Sequence, residues 1–146
     1  MINHFVINDE WFLVDLTGYG YAKVSKTSRA EWARMINFYL LNRSNLMCVC
    51  VLIDSRHAPQ TADLEFMEKL GEEGIPFVMI FTKADKQSTA QTKALLTDYL
   101  RKMSEIWDEL PRYFLTSAET ALGREEVLEF ITGVNKDWVA GAATNA

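Results

Sequence analysis

Hydrophobic residues make up 49% of the 146-residue chain and charged residues 24%, and the net charge is −5. A chain of this length folds as one domain with a sizeable core, and no apolar run is long enough to cross a membrane. The acidic balance argues against broad affinity for nucleic acid, so we expect neither a membrane nor a DNA partner. Two cysteines, Cys48 and Cys50, are too few for a disulfide framework or a zinc site and predict buried thiols in a reducing cytoplasm.

The first part of the chain predicts a β-hairpin and a helix. Two short apolar runs, residues 4–7 and 11–14, flank a polar turn at residues 8–10. Residues 25–28 include serines that offer N-cap side chains. A helix is then predicted to about Leu41, because apolar residues recur at helical spacing up to that point.

The middle of the chain predicts two buried strands with a helix between them. Residues 47–53 and 77–81 are unbroken apolar runs, which are typical of strands buried on both faces. Thr61 is expected to cap the intervening helix, and Gly71 and Gly74 are expected to end it.

The last part of the chain predicts two helices around a short strand. One helix begins at Ser88, residues 113–115 form the strand, and the last helix starts near Gly123. The end of the chain is rich in small and polar residues. We therefore assign residues 1–135 to the domain and residues 136–146 to a flexible tail.

The element order β-β-α-β-α-β-α-β-α predicts an α/β fold. Alternating helices and buried strands imply a mainly parallel sheet covered by helices on both faces, which gives three α/β/α layers. No internal repeat or linker divides the chain, so we interpret it as one folding unit.

Three of the predicted strands end in polar loops. The candidate site residues are Asp15, Leu16, Thr17 and Gly18 in the first loop, Thr82, Lys83, Ala84 and Asp85 in the second, and Thr116, Ser117 and Ala118 in the third. Ligands of open α/β sheets bind beyond the carboxyl ends of the strands, so the three loops are candidates for a single site. A fourth strand end carries Asp54, but no second acid is placed to pair with it, and it is not assigned to the site.

The order of these loops suits the chemistry of a guanine nucleotide. The Asp85 carboxylate can accept hydrogen bonds from the N1–H and the exocyclic amine of guanine, a pair of donors that adenine lacks on that edge. The stem of Lys83 can lie along the base or the ribose while its ammonium stays hydrated. A backbone N–H near Ala118 can donate to the guanine O6.

The first loop suits the phosphate end of the same ligand. Asp15 would hold Mg²⁺ through a water molecule, and the Gly18 N–H would meet the γ-phosphate. Such a loop changes shape when the phosphate is lost.

The chain resembles the EngB family of bacterial GTPases. Residues 15–24, DLTGYGYAKV, resemble that family's D-L-P-G-Y-G-Y-A-K-V, with Thr17 in place of the usual proline. Residues 52–57, LIDSRH, and residues 82–86, TKADK, follow in the family's order. The resemblance implies a Ras-like P-loop GTPase fold, Mg²⁺-dependent binding and hydrolysis of GTP, a role in assembly of the large ribosomal subunit, and an association with cell division and septation.

One family motif is absent from these residues. The pattern G-x-x-x-x-G-K-[ST], which cradles phosphates and supplies a hydroxyl ligand to Mg²⁺, does not occur in the sequence. We therefore expect the chain to start inside the domain, with the first strand and the P-loop helix missing and the direct Mg²⁺ ligands in the missing segment. We also expect these residues alone to fold poorly, because both neighbours of the missing strand lose backbone hydrogen bonds, and not to hydrolyse GTP.

Two other interpretations stay open at this point. The chain could be a non-hydrolysing interaction module that binds ribosomal RNA or protein through a basic segment, whose candidate contacts are Lys23, Lys26, Arg29 and Arg34. Alternatively, the strand ends could be polar only because loops generally are. That interpretation accounts for each motif singly but not for their joint order.

Overall fold

The computed structural model describes residues 2–16 and 25–145. It divides the chain into two compact units, Met1–Leu46 and Met47–Ala146. The strands and helices follow in the predicted order, with one short 3₁₀ helix added. None of the helices in the described part of the chain is long and apolar enough to cross a membrane.

The first unit begins with the predicted hairpin. Strand β1 (Ile2–Ile7) pairs antiparallel with β2 (Trp11–Leu16). The Glu10 N–H donates to the Ile7 carbonyl oxygen at 3.0 Å and closes the turn. Asn8 and Asp9 within it have φ of 53° and 56°, and Asn and Asp tolerate this left-handed region better than most residues.

The helix of the first unit also starts where the sequence predicts. Helix α1 (Lys26–Asn42) is capped by Ser25, whose hydroxyl accepts from the Ser28 N–H at 3.2 Å. Its apolar side buries Ile36 and Leu40, and the Tyr39 hydroxyl lies 3.4 Å from His4 Nε2 on β1.

The second unit contains a parallel sheet of three strands. The strands are β3 (Val49–Asp54), β4 (Phe77–Thr82) and β5 (Tyr113–Leu115), in the order β3-β4-β5. Asp54 is in register with Thr82, and Phe81 with Leu115. The carboxyl ends of the three strands therefore lie side by side.

Helices cover both faces of the central strand β4, as its unbroken apolar sequence predicts. These helices are α2 (Thr61–Glu72), α3 (Thr89–Ser104) and α4 (Arg124–Asn145). Val78 and Ile80 cluster with Phe114, and Val127 and Phe130 of α4 pack against that cluster. Alternate side chains of a strand point to opposite faces, and on the other face the Phe81 ring meets the Tyr99 ring of α3 at 5.1 Å between centroids.

Strand β3 differs from its prediction. The sequence predicts residues 47–53 as a strand buried on both faces, whereas the strand is Val49–Asp54 and its burial alternates. Val51 and Ile53 are buried, while Cys50 is exposed and Leu52 is 65% exposed. Alternate side chains of a strand point to opposite faces, so one face of β3 is covered, whereas the face that carries Cys50 and Leu52 is open in the described part of the chain.

The ends of the helices are partly as predicted. Ser88 caps α3 and forms a capping box with Gln91, but Thr61 is the first residue of α2, and its N-cap Gln60 makes no side-chain cap hydrogen bond. Gly71 lies in the last turn of α2, one residue before its end, and a Cβ there would stand 2.6 Å from the Trp107 ring. Gly74, with φ +68°, is the glycine that lies in the turn after the helix.

Helix α4 is longer than predicted. The sequence ends the last helix near Val134, but the helix runs without a break to Asn145. Alanine favours helix and glycine does so poorly, so the small residues of this segment, although typical of a tail, do not prevent a helical backbone. The division of the chain at residue 135 and the flexibility of residues 136–146 stay predictions.

Candidate functional site

The site is built where the three parallel strands of the second unit end. The Ser55 N–H donates to the Thr82 carbonyl oxygen at 3.0 Å, and the Thr82 hydroxyl donates to the Ile53 carbonyl oxygen at 3.4 Å. On the other side, the N–H and hydroxyl of Thr116 both donate to the Phe81 carbonyl oxygen, at 2.7 and 2.9 Å. Thr82 and Thr116 thus join neighbouring strand ends with hydroxyls that are already bonded to the backbone.

The loop after β4 turns sharply at Lys83. Lys83 has φ 61° and ψ 33°, and its carbonyl oxygen accepts from the Lys86 N–H at 3.1 Å, which closes the 3₁₀ helix Ala84–Lys86. A left-handed lysine costs about 1–3 kcal/mol unless its surroundings fix it. The buried Ala84 provides that fixation, because its N–H donates to the Thr116 carbonyl oxygen at 3.1 Å and its own carbonyl oxygen accepts from the Thr92 hydroxyl at 3.4 Å.

A hydrogen bond connects the second and third predicted loops. The hydroxyl of Ser117, which is buried, donates to Asp85 Oδ1 at 2.8 Å, and the Lys86 ammonium lies 3.5 Å from Asp85 Oδ2. The hydrogen bond from Ser117 is the main cause that lowers the pKa of Asp85 below its ordinary value, with Lys86 acting in the same direction. At neutral pH the loop therefore presents an oriented carboxylate.

The third loop has its shape imposed by a glycine. The Ser117 N–H donates to the Leu122 carbonyl oxygen at 3.1 Å, and the Thr120 N–H donates to Ser117 Oγ at 3.2 Å. Gly123 has φ +76°, and a Cβ there would stand 2.2 Å from the Leu115 carbonyl oxygen. Only a glycine lets the backbone of residue 123 pass this close to β5. Ala118, in the loop between Ser117 and Gly123, is exposed.

Asp54 is a site residue that the sequence did not assign. Arg56 donates from Nε to Asp54 Oδ1 at 3.0 Å and from Nη2 to Oδ2 at 2.7 Å, while the Lys83 ammonium lies 3.5 Å and His57 Nε2 3.7 Å from Oδ2. The hydrogen bond from Arg56 holds the pKa of Asp54 well below its usual range. The sequence did indicate that Asp54 comes directly after a predicted strand. Its ion pair with Lys83 could not be predicted, because it depends on the register between β3 and β4.

The structure brings two of the three predicted loops together. Asp15 and Leu16, at the end of β2, belong to the first unit. Thr17 and Gly18 lie outside the described residues. The assignment of the first loop to the site stays a prediction.

No metal centre is formed within residues 2–16 and 25–145. No three His, Cys, Asp or Glu side chains in these ranges are grouped to hold a metal ion.

The predicted basic surface is present in part. Lys26, Arg29 and Arg34 are exposed side chains of α1, and Lys23 lies outside the described residues.

Solved structures share this fold. A crystal structure of a probable GTP-binding protein engB aligns with a TM-score of 0.68 at 23% identity, covering 93% of this chain and 82% of that chain. Translation elongation factor SelB from Methanococcus maripaludis, in complex with the GTP analogue GppNHp, aligns with a TM-score of 0.65 at 18% identity over 92% of this chain and 27% of that chain. The class is therefore as predicted: the chain has the α/β fold of the Ras-like P-loop GTPases.

Sequence relatives narrow the class to a family. A "Probable GTP-binding protein EngB" from Cytophaga hutchinsonii is 51% identical over 136 residues, which cover 93% of this chain and 68% of the relative. The protein of the same name from Porphyromonas gingivalis is 49% identical over 137 residues, with 94% and 68% covered. No family model matches the chain. At this identity and coverage the chain belongs to the EngB family.

Proposed function

We propose that the second unit carries the guanine-reading part of a GTP-binding site. The observation that supports this most directly is the hydrogen bond of 2.8 Å between the Ser117 hydroxyl and Asp85 Oδ1. It joins the two loops that the base would contact, and it fixes the carboxylate that would choose the base.

The chemistry of Asp85 favours guanine over adenine. An ionised carboxylate only accepts hydrogen bonds, and guanine presents two adjacent donors, N1–H and the C2 amine. Adenine presents an unprotonated N1 and no amine at C2, so the same carboxylate would face a lone pair. The protein group near Asp85 Oδ2 is Lys86, whose side chain is half exposed, so a base can approach that oxygen.

We extend this proposal to the first loop, which would contact the phosphate end of the ligand. Asp15 would contact Mg²⁺ through water, and Leu16, Thr17 and Gly18 would lie beside the phosphates. Mg²⁺ supplies charge neutralisation at the β- and γ-phosphates when bound. We propose that the 146 residues alone bind guanine nucleotide weakly and do not hydrolyse GTP, because they contain no phosphate-cradling motif. Measured GTP turnover by this chain would contradict that part.

The experiment is a change of base preference in the product of the complete gene. In Asp85→Asn, the new amide offers one acceptor and one donor. That pair matches xanthine, which has N1–H beside a C2 carbonyl, and it opposes the C2 amine of guanine. We expect GDP affinity to fall about tenfold to a hundredfold and XDP affinity to rise, measured by calorimetry with ADP as a third nucleotide.

A matched control is Asp98→Asn. Asp98 is also a partly exposed carboxylate and pairs with Arg101 at 2.7 Å, but it lies on α3 away from the strand ends. Asp98→Asn should leave the relative affinities for GDP, XDP and ADP unchanged. An Asp85→Asn protein that keeps its preference for GDP over XDP, or a wild type that binds GDP and ADP equally, would overturn the guanine assignment.

The family also suggests the cellular setting. We propose a cytoplasmic protein that acts in assembly of the large ribosomal subunit and is associated with cell division. The exposed side chains of Lys26, Arg29 and Arg34 would contact ribosomal RNA. Each phosphate contact removed should lower the salt dependence of RNA binding by about one unit of slope, so the triple substitution to glutamine can be scored by that slope.

The same basic surface supports a second candidate, an interaction module that binds RNA or protein without hydrolysing GTP. Genomic DNA upstream of the Met1 codon separates the two candidates. An in-frame P-loop motif there would favour the GTPase, and its absence would favour the interaction module.

A further inference from the structure

Two strand ends share one carboxylate at the edge of the candidate site. Asp54 is the last residue of β3, and its Oδ2 accepts from Arg56 Nη2 at 2.7 Å while the Lys83 ammonium, from the loop after β4, lies 3.5 Å away. His57 Nε2 lies 3.7 Å from the same oxygen. The Asp54 side chain is 22% exposed, so solvent screens this cluster only in part.

Lys83 needs a partner that fixes its side chain. Its backbone is held in the left-handed region, but a lysine side chain keeps up to about 2 kcal/mol of rotamer entropy, and that of Lys83 is 53% exposed. Among the described residues, the carboxylate within ion-pair distance of its ammonium is Asp54. A contact that keeps the ammonium in one place lowers the entropy cost of laying the lysine stem along a base.

The competition for Asp54 is unequal. Arg56 forms three side-chain hydrogen bonds to the carboxylate, and its N–H adds a fourth at 3.0 Å. Lys83 has the longer and weaker contact, at 3.5 Å. The Arg56 N–H, which any side chain at residue 56 leaves in place, fixes Asp54 Oδ1, while the Arg56 guanidinium competes with Lys83 for the carboxylate and so contributes nothing to the placing of Lys83.

We propose that Asp54 is a positioning residue for the guanine nucleotide, which acts by keeping the Lys83 ammonium at the end of β3 so that the Lys83 stem lies along the base read by Asp85. This inference rests on the proposed function. It assigns to Asp54 an effect on nucleotide affinity that passes through Lys83 and not through Arg56.

The test is a pair of double-mutant cycles on the product of the complete gene. GDP affinity is measured by calorimetry for Asp54→Asn, Lys83→Met, Arg56→Met and the two doubles that contain Asp54→Asn. We expect Asp54→Asn to weaken GDP binding about fivefold, the range of a partly exposed ion pair. With Lys83→Met already present, Asp54→Asn should have no further effect, and Arg56→Met alone should not weaken binding.

Each single variant is also followed by urea denaturation, because a merely structural role would change stability without coupling to Lys83. Asp54→Glu keeps the charge and serves as a second variant if Asp54→Asn fails to fold. Asp54→Glu should lose less GDP affinity than Asp54→Asn. That loss should again disappear when Lys83→Met is already present. The matched control is again Asp98→Asn, whose carboxylate pairs with one arginine at 2.7 Å and one lysine at 3.6 Å on α3.

Three results would overturn the positioning role. They are additive losses for Asp54→Asn and Lys83→Met, a coupling of Asp54 to Arg56 in GDP affinity, or an effect of Asp98→Asn as large as that of Asp54→Asn. These outcomes differ from a failure of the proposed function. If Asp85→Asn changes the base preference while the Asp54–Lys83 cycle is additive, guanine binding stands and only the role of Asp54 falls.

Discussion

Asp54 is the last residue of β3 and Asp85 lies in the loop after β4, at the same edge of the sheet, yet different groups hold their carboxylates. Arg56 donates to both oxygens of Asp54, and Lys83 lies near one of them. Asp85 accepts from a neutral hydroxyl, that of Ser117, and its other oxygen lies 3.5 Å from a half-exposed lysine. Position at a strand end therefore does not by itself define a ligand-reading acid.

The difference suits two separate tasks. A carboxylate whose oxygens are occupied by a guanidinium has little capacity left to accept hydrogen bonds from a ligand, but it can orient a second cation. A carboxylate oriented by one hydroxyl keeps lone pairs available. The comparison predicts that changes around Asp85 alter which base is bound, whereas changes around Asp54 alter how firmly Lys83 is held.

The largest expected effect comes from Gly123, which shapes only the Asp85 side of the site. Gly123→Ala would place a Cβ 2.2 Å from the Leu115 carbonyl oxygen at a φ of +76°. We expect a loss of about 3 kcal/mol of unfolding free energy, from left-handed strain and overpacking together, measured by urea denaturation.

The control for Gly123 is Gly133→Ala. Gly133 lies inside α4, and a Cβ there would meet nothing within 4 Å. That substitution should stabilise the protein by about 0.5–1 kcal/mol, as expected for alanine in a helix interior. Equal effects of the two substitutions would contradict the role assigned to Gly123.

A smaller effect is expected from Ser117→Ala. This change removes the donor to Asp85 Oδ1 and the acceptor of the Thr120 N–H. Because Ser117 is buried, we expect a cost of about 1–2 kcal/mol, and NMR titration should show the pKa of Asp85 moving up towards its ordinary value.

Ser55→Ala provides a matched control for Ser117. Ser55 is also buried, and its hydroxyl has no hydrogen-bond partner among the described residues. Removing it should change stability by less than about 0.5 kcal/mol or improve it. A cost for Ser55→Ala equal to that for Ser117→Ala would mean that the bond to Asp85 contributes nothing measurable.

The sequence predicted those parts of the fold that depend on local pattern. The element order, the caps at Ser25 and Ser88, and the burial of β4 follow from side-chain chemistry and apolar runs. The predicted burial of β3 was wrong, because a uniform apolar run cannot show whether one face of a strand is covered or both. The close contact of Gly71 with Trp107 was not predicted, because Trp107 is distant in sequence.

The candidate site divides in the same way. The loops at Asp85 and Ser117 were predicted as parts of one site, and the structure joins them directly. The pairing of Asp54 with Lys83 was missed, because it depends on the register of Asp54 with Thr82. A motif identifies which residue types carry out the chemistry, but only strand register shows which of them share a partner.

The smallest expected effect is on the acid stability of Asp54→Asn. Because the pKa of Asp54 is lowered in the folded protein, its contribution is present above the unfolded-state pKa of about 3.9 and is lost as pH falls through the lower folded-state value. At neutral pH we expect Asp54→Asn to lose about 0.5–1 kcal/mol, since Arg56 is partly exposed and solvent screens the pair. The difference between the variant and the wild type should start to shrink below about pH 4 and keep shrinking towards pH 2, as measured by urea denaturation across pH 2–7.

The same measurement separates Asp54 from Asp85. The pKa of Asp85 is also lowered, chiefly by a hydrogen bond from a neutral hydroxyl, whereas the hydrogen bond that lowers the pKa of Asp54 most comes from the charged guanidinium of Arg56, and the charges of Arg56 and Lys83 add to it. Added salt screens charges far more than it weakens a hydrogen bond to a hydroxyl. At 0.5 M NaCl the effect of Asp54→Asn should therefore shrink while that of Asp85→Asn persists. If salt reduces both effects equally, the two carboxylates are held by the same kind of interaction, and the distinction between a positioning acid and a base-reading acid loses its physical basis.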